Sequence, residues 1–182
     1  MKKFKMAFAV ELAIIGALTS LLFVGLTLPE VFPRAVHRFL HILGAIIFLG
    51  NIVVSALWFS VAVASRKNDW FAFAARLMNI TDLAFTGPGL ILLLWNAAVL
   101  VGAYGNPLTV DWLKWALIYF AATGALWMGV LIPLQFRFMK QAEAGVMPWN
   151  DAREQRLLGL YNAAGGAAVL LVILSLVRMV LK

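Results

Sequence analysis

FLHILGAIIFLGNIVVSALWFSVAVA, residues 39–64, runs for 26 positions without an aspartate, glutamate, lysine or arginine. About 20 apolar helical residues cross a hydrocarbon core roughly 30 Å thick, so this stretch alone points to a bilayer. Four other runs share its character: Met6–Leu28, Leu83–Tyr104, Trp112–Phe136 and Leu158–Val177. With their flanks, the helices are expected at about 6–28, 35–65, 81–104, 110–141 and 152–180. They use most of the 182 residues, so 1–182 reads as a single transmembrane domain. The expected fold is an all-α membrane protein with five transmembrane helices. The second to fifth form a four-helix bundle core, and the first is an extra N-terminal helix packed outside it. Composition agrees: 64% of residues are hydrophobic and 13% charged, against roughly half and about a quarter in soluble domains.

The chain has no cysteine, which excludes disulfides, iron–sulfur ligation, thiolate catalysis and covalent c-type haem attachment. Its net charge of +7 comes from residues flanking the apolar runs, where anionic lipid headgroups account for it; no nucleic-acid partner is expected. The basic start at Lys2, Lys3 and Lys5 followed by an apolar run also describes a secretory signal. Glu11 interrupts that run and no A-x-A-like site follows, so a retained helix is expected.

With the N-terminus cytoplasmic and the C-terminus outside, Lys2, Lys3, Lys5, Arg66, Lys67, Arg76, Arg137, Lys140, Arg153 and Arg156 fall on the cytoplasmic side. The opposite side keeps Arg34, Arg38, Lys114, Arg178 and Lys182. This bias sets the expected orientation. Trp70, Trp95, Trp112 and Trp149 fall near span ends, as interfacial anchors do. An amphipathic stretch from Trp70 to Asn79 is expected at the interface, and Gly87-Pro88-Gly89 is expected to kink or loosen the third helix. Asn150 or Asp151 should cap the last helix. The small-residue run Ala163–Ala168 marks a packing face, open to a protein partner or a second copy.

Polar side chains within hydrocarbon are expensive, and each needs a reason. On the second span His37, His41, Gly44, Phe48, Asn51 and Ser55 share a face at spacings of four and three. Asp82, Thr86, Gly89, Leu93 and Asn96 do so on the third. Lys114, Leu117, Ala121, Gly124, Met128, Leu131 and Gln135 do so on the fourth. Three seams should therefore meet inside a bundle. His41 and Lys114 each lie just inside the outer start of a span, at one depth, where they could ligate one cofactor or share a proton. Lys114 could equally snorkel to the headgroups, and His41 could bond a neighbouring helix. His37 with His41 could grip a divalent metal, although His37 is expected at the membrane surface and no third ligand is evident. Asp82 is expected at the cytoplasmic mouth of the third span, capping it, and Glu11 near the cytoplasmic end, paired with Lys5 or another helix.

The run Phe39–Asn51 resembles the opening helix of the bacterial membrane family DUF2269. So do Thr86-Gly87-Pro88-Gly89 and the stretch from Trp112-Leu113 to Val130-Leu131-Ile132-Pro133-Leu134-Gln135. The resemblance covers about residues 35–180, and it implies a bacterial inner (cytoplasmic) membrane location. That family is in turn similar to HemJ-type protoporphyrinogen oxidases and CopD copper-resistance proteins. The HemJ type has a His near the start of its first core helix and a Lys near the start of its third, both associated with b-type haem. These fall on His41 and Lys114. The resemblance thus implies haem b in a redox or electron-transfer role. His41 would be the axial iron ligand, Lys114 the opposite ligand or a propionate partner, and Asn51 and Gln135 supporting polar groups. The chain departs from that pattern in lacking a basic and aromatic cluster for porphyrin carboxylates. Two other expectations stand beside it: an accessory subunit of a membrane complex, or a proton- or metal-coupled transporter using Glu11, Asp82 or Lys114.

Overall fold

Five helices long and apolar enough to cross a membrane form in the computed structural model, which describes residues 2–181. They are α1 (Lys2–Phe23), α2 (Arg34–Ala64), α3 (Asn68–Ala103), α4 (Asp111–Glu143) and α5 (Ala152–Val180). No strand occurs among the described residues. The side chains of Lys2, Lys3 and Lys5, and all of Lys182, lie outside the described set, so their expected places in the charge pattern carry no structural account. The all-α, five-span architecture read from hydropathy is the one the chain forms.

Successive helices run antiparallel. At one end, Leu28 N–H donates to Ala98 O and the Arg34 guanidinium to Leu100 O, joining the α1–α2 turn to the end of α3. At the other, Arg137 of α4 grips Glu154 of α5, and Trp149 packs edge-on against Phe71 of α3. The α3 helix is central and touches α1, α2 and α4, while α5 lies against α4. Over half of α3's most apolar stretch, 56%, is buried against other helices, about twice the share of any other span.

Two boundaries depart from expectation. The first helix stops at Phe23, not Leu28, because Gly25 takes φ +72°. Its N–H then reaches Leu22 O while Leu26 N–H reaches Leu21 O, the glycine-terminated helix end that only a residue without Cβ enters cheaply. The third helix begins at Asn68, and the stretch expected at the interface is instead its first half. Phe71 and Ala75 are 0% exposed because they pack on the C-terminal part of α4 with Phe59, Phe138 and Tyr161. Asp151 caps α5, accepting from the N–H groups of Arg153 and Glu154 at 2.8 and 3.1 Å.

Gly44 and Gly89 let α2 and α3 come within backbone contact. A Cβ at Gly44 would lie 2.6 Å from Leu93 N and 2.7 Å from Gly89 O; one at Gly89 would lie 2.9 Å from Phe48 N. In lipid, where no hydrophobic effect drives helices together, such close packing is a main source of association. Ala164 and Ala168 act alike between α5 and α4: both are buried, and Thr123 Oγ1 reaches Ala168 O at 3.4 Å. Two of the six residues of the expected partner-docking face are therefore used inside the chain, and Ala163, Gly166 and Ala167 remain exposed.

Two ion pairs differ in worth. Glu154 is buried and takes two bonds from Arg137, from Nε at 3.0 Å and from Nη2. Asp111, paired with Lys114 at 3.0 Å, is 89% exposed. Glu154→Ala should destabilise by about 2 kcal/mol, and Asp111→Ala by less than about 0.5 kcal/mol. Thermal melts of the two variants in one detergent check the contrast.

Candidate functional site

Pro88 and Pro133 shape the centre of the bundle. Proline has no N–H to give the carbonyl four residues back, and its ring collides with that carbonyl. In both helices the backbone responds by widening one turn just before the proline, at Asp82–Thr86 in α3 and Trp127–Leu131 in α4. Gly87 N–H then reaches back to Asp82 O, and Ile132 N–H to Trp127 O. The kink expected at Gly87-Pro88-Gly89 is this π turn. Its counterpart in α4 was not foreseen. The first residues of the two turns face each other, and the Trp127 indole lies close to the Asp82 carboxylate.

Asp82 is the hub. Its Oδ1 accepts from Asn51 Nδ2 at 3.2 Å and from Thr86 Oγ1 at 2.9 Å; its Oδ2 accepts from Gln135 Nε2 at 3.0 Å. Asn51 also donates to Thr86 Oγ1 at 2.8 Å, and Ser55 donates to Asn51 Oδ1 at 3.3 Å. Gln135 Nε2 lies 3.4 Å from the Tyr161 hydroxyl, which donates to Met78 Sδ at 2.8 Å. Three helices thus converge on the carboxylate of Asp82, a residue 5% exposed, and α5 reaches it through Gln135. Every donor to it is neutral, and among the described residues neither ion pair includes it. The expectation that Asp82 caps a helix is overturned: it lies near the middle of the 36-residue α3.

Glu11 is likewise near the middle of its helix, not near an end. Its carboxylate rests on Gly87, where a methyl group would overlap it, and it feels the charge of Asp82. An alanine at 87 would have to displace the Glu11 carboxylate, the free end of a flexible side chain from α1. Gly87→Ala should cost no more than about 1 kcal/mol, because the carboxylate can swing aside, and Glu11→Ala in the same chain should recover it. Chemical denaturation of the two single variants and the double variant measures this coupling.

Beside Asp82 lies a cavity of about 580 Å³. Asp82, Gln135 and Tyr161 supply polar groups to its lining, and Phe48, Phe59 and Phe120 supply apolar walls. From α4, Ala121, Gly124, Met128 and Leu131 also face it, which is the seam read from spacing. Gln135 is buried, and its Oε1 has no hydrogen-bond partner.

The other expected residues lie apart from this hub. His37, in the first turn of α2, is 1% exposed: Nδ1 sits 2.7 Å from Asn96 Oδ1, and Nε2 accepts from Phe32 N–H at 3.3 Å. Both ring nitrogens are engaged, so His37 has none left for a metal. His41 Nδ1 lies 2.9 Å from Leu93 O. The Lys114 amine bonds Asp111 at 3.0 Å and is partly exposed. No hydrogen bond joins His41 to Lys114, and neither lines the cavity. Asn51 and Gln135, expected around His41, converge on Asp82 instead. Among the described residues no group of three or more His, Asp or Glu could hold a metal ion. Trp127 and Tyr161 are the members of the cluster that sequence reasoning missed. The only signal for the first was its place six residues before Pro133.

Residues 35–182, from the start of α2 onward, match the family model described as "Predicted integral membrane protein (DUF2269)". No curated protein and no solved structure matches the chain.

Proposed function

We propose, from the premise that the chain belongs to the DUF2269 family of predicted integral membrane proteins, that it is a proton-coupled carrier whose proton site is Asp82. The observation behind this reading is a carboxylate 5% exposed, midway along a spanning helix, held by neutral donors alone. A buried charge without a counter-ion is costly, and an apolar residue of similar size would serve packing better. An ionisable group so placed points to function. The donors hold the ionised form in place, and a proton is the smallest species able to discharge it. Glu11, the second acid, raises the electrostatic cost of leaving both charged. The two π turns give α3 and α4 a locally widened backbone at the same point, a feature frequent at functional sites.

The carrier is placed in a bacterial inner membrane with its N-terminus cytoplasmic. The support is charge: Arg66, Lys67, Arg76, Arg137, Lys140, Arg153 and Arg156 gather at the end of the bundle where α1 begins. The test uses proteoliposomes loaded with a pH-sensitive dye under an imposed membrane potential. Wild-type protein should acidify the lumen, and Asp82→Asn should return the rate to that of empty vesicles. Equal rates for wild type and variant, or wild-type rates no faster than empty vesicles, contradict the proposal.

One observation favours a second reading, haem b on His41 in a redox role: Nδ1 is fixed by a carbonyl while Nε2 has no hydrogen-bond partner, as in a ligating imidazole. The surroundings fit the group poorly, because His41 does not line the cavity and the Lys114 amine is held by Asp111. No step is derived through it. A Soret band removed by His41→Ala would support this reading, and colourless wild-type protein after expression with added haem would reject it.

A further inference from the structure

We infer that the cavity beside Asp82 takes an amphiphilic organic cation, with an ammonium N–H group set between the Asp82 carboxylate and Gln135 Oε1. Its ring-bearing body would lie along the aromatic walls. This deepens the reading of Asp82 as the proton site by naming the class of solute. The volume, about 580 Å³, is in the range of small-molecule pockets. The character of the lining narrows the choice. Gln135 spends its Nε2 on Asp82, which fixes the amide's orientation and leaves Oε1 buried and unpartnered. Asp82 and Gln135 therefore border a mainly apolar space, whose other polar lining includes Tyr161, Asn162 and Ser55. A neutral hydrocarbon would satisfy neither acceptor. An anion would be repelled by Asp82. A bare metal ion would find no cluster of ligands among the described residues. A protonated amine meets both acceptors, and the faces of Phe48, Phe59 and Phe120 also attract a cation. Because the amine and the proton discharge the same carboxylate, one leaves as the other arrives.

Calorimetry on the detergent-purified full chain tests the ligand class with three two-ring probes: dibenzylammonium, its neutral isostere dibenzyl ether, and the anion diphenylacetate. The ammonium should bind at least roughly tenfold more tightly than the ether, as a charge-assisted bond requires, and the anion should not bind. Asp82→Asn should erase the preference, and Gln135→Leu should weaken ammonium binding while leaving the ether unchanged. The wild-type comparison needs no variant, so misfolding of either substitution cannot mask the result. Equal affinity for ammonium and ether, no binding of the ammonium, or a preference that survives Asp82→Asn overturns the inference whatever the proton flux does. Conversely, a cation preference that depends on Asp82, in a protein whose proton flux ignores Asp82→Asn, keeps the site and removes the coupled-carrier reading.

Discussion

Gly44→Leu should abolish the folded protein, while Gly50→Leu, six residues further along the same helix, should be silent. At 44 the first added carbon would lie 2.6 Å from Leu93 N and 2.7 Å from Gly89 O, and both are backbone atoms that cannot rotate aside. The helices would have to separate, taking with them the contacts of Phe48 and Leu93 and the bonds from Asn51 to Asp82 and Thr86. Overpacking a well-filled core costs about 1–3 kcal/mol. A branched four-carbon side chain against backbone belongs at the top of that range or above it. At 50 a Cβ meets nothing within 4 Å, so a leucine there adds only apolar surface facing outward. Size-exclusion profiles and melting curves of the two variants separate a packing requirement from a general intolerance of leucine. Loss of the folded peak for both, or for neither, would contradict the close approach of α2 and α3.

Much of this was legible in the residues. The spacing 82, 86, 89, 93, 96 predicts one helical face, and all five residues are buried. The stripe on the second span behaves alike, with His37, Gly44, Phe48 and Ser55 buried. What spacing cannot carry is the rotation of one helix about its axis relative to the next. His41 and Lys114 can be matched in depth from their distances to the span starts, yet each turns to a different partner, Leu93 O and Asp111. Lys114 reaches one turn back to Asp111 because the first turn of a helix offers its long side chain an acid there. Asp82 was misplaced for another reason. The apolar run begins at Leu83, so hydropathy starts the helix there, but the more polar residues 68–81 are made helical by burial against the end of α4. That partner lies more than fifty residues away in the chain, as does the Gln135 side chain that bonds Asp82. Trp127 and Tyr161 look like ordinary apolar-span aromatics until the fold brings their polar atoms to the hub.

Asp82→Asn is the substitution with the largest expected effect on function. The asparagine keeps the shape of the side chain but presents an amino group to a shell made of donors. It also removes the proton-accepting oxygens of that side chain. Loss of an essential proton-transfer group slows such steps by a factor on the order of a hundred or more, so proton flux should fall by roughly a hundredfold. Stability should change far less, by no more than about 2 kcal/mol, because lost charge-assisted bonds are offset by relief from burying an ion. A small shift in melting temperature with a large loss of flux separates a proton site from a structural acceptor. A large loss of stability with flux retained in the surviving folded protein would point the other way.

The measurement closest to the central claim is an infrared titration of the protein reconstituted in lipid, following the carboxylic acid C=O stretch of wild type and Asp82→Asn. The wild-type spectrum should contain an acid band that grows as pH falls, shifts in heavy water and is absent from the variant. A wild-type spectrum in which no band assigned to Asp82 changes with pH, while the protein remains folded, would make Asp82 a fixed structural acceptor and end the account of a proton site.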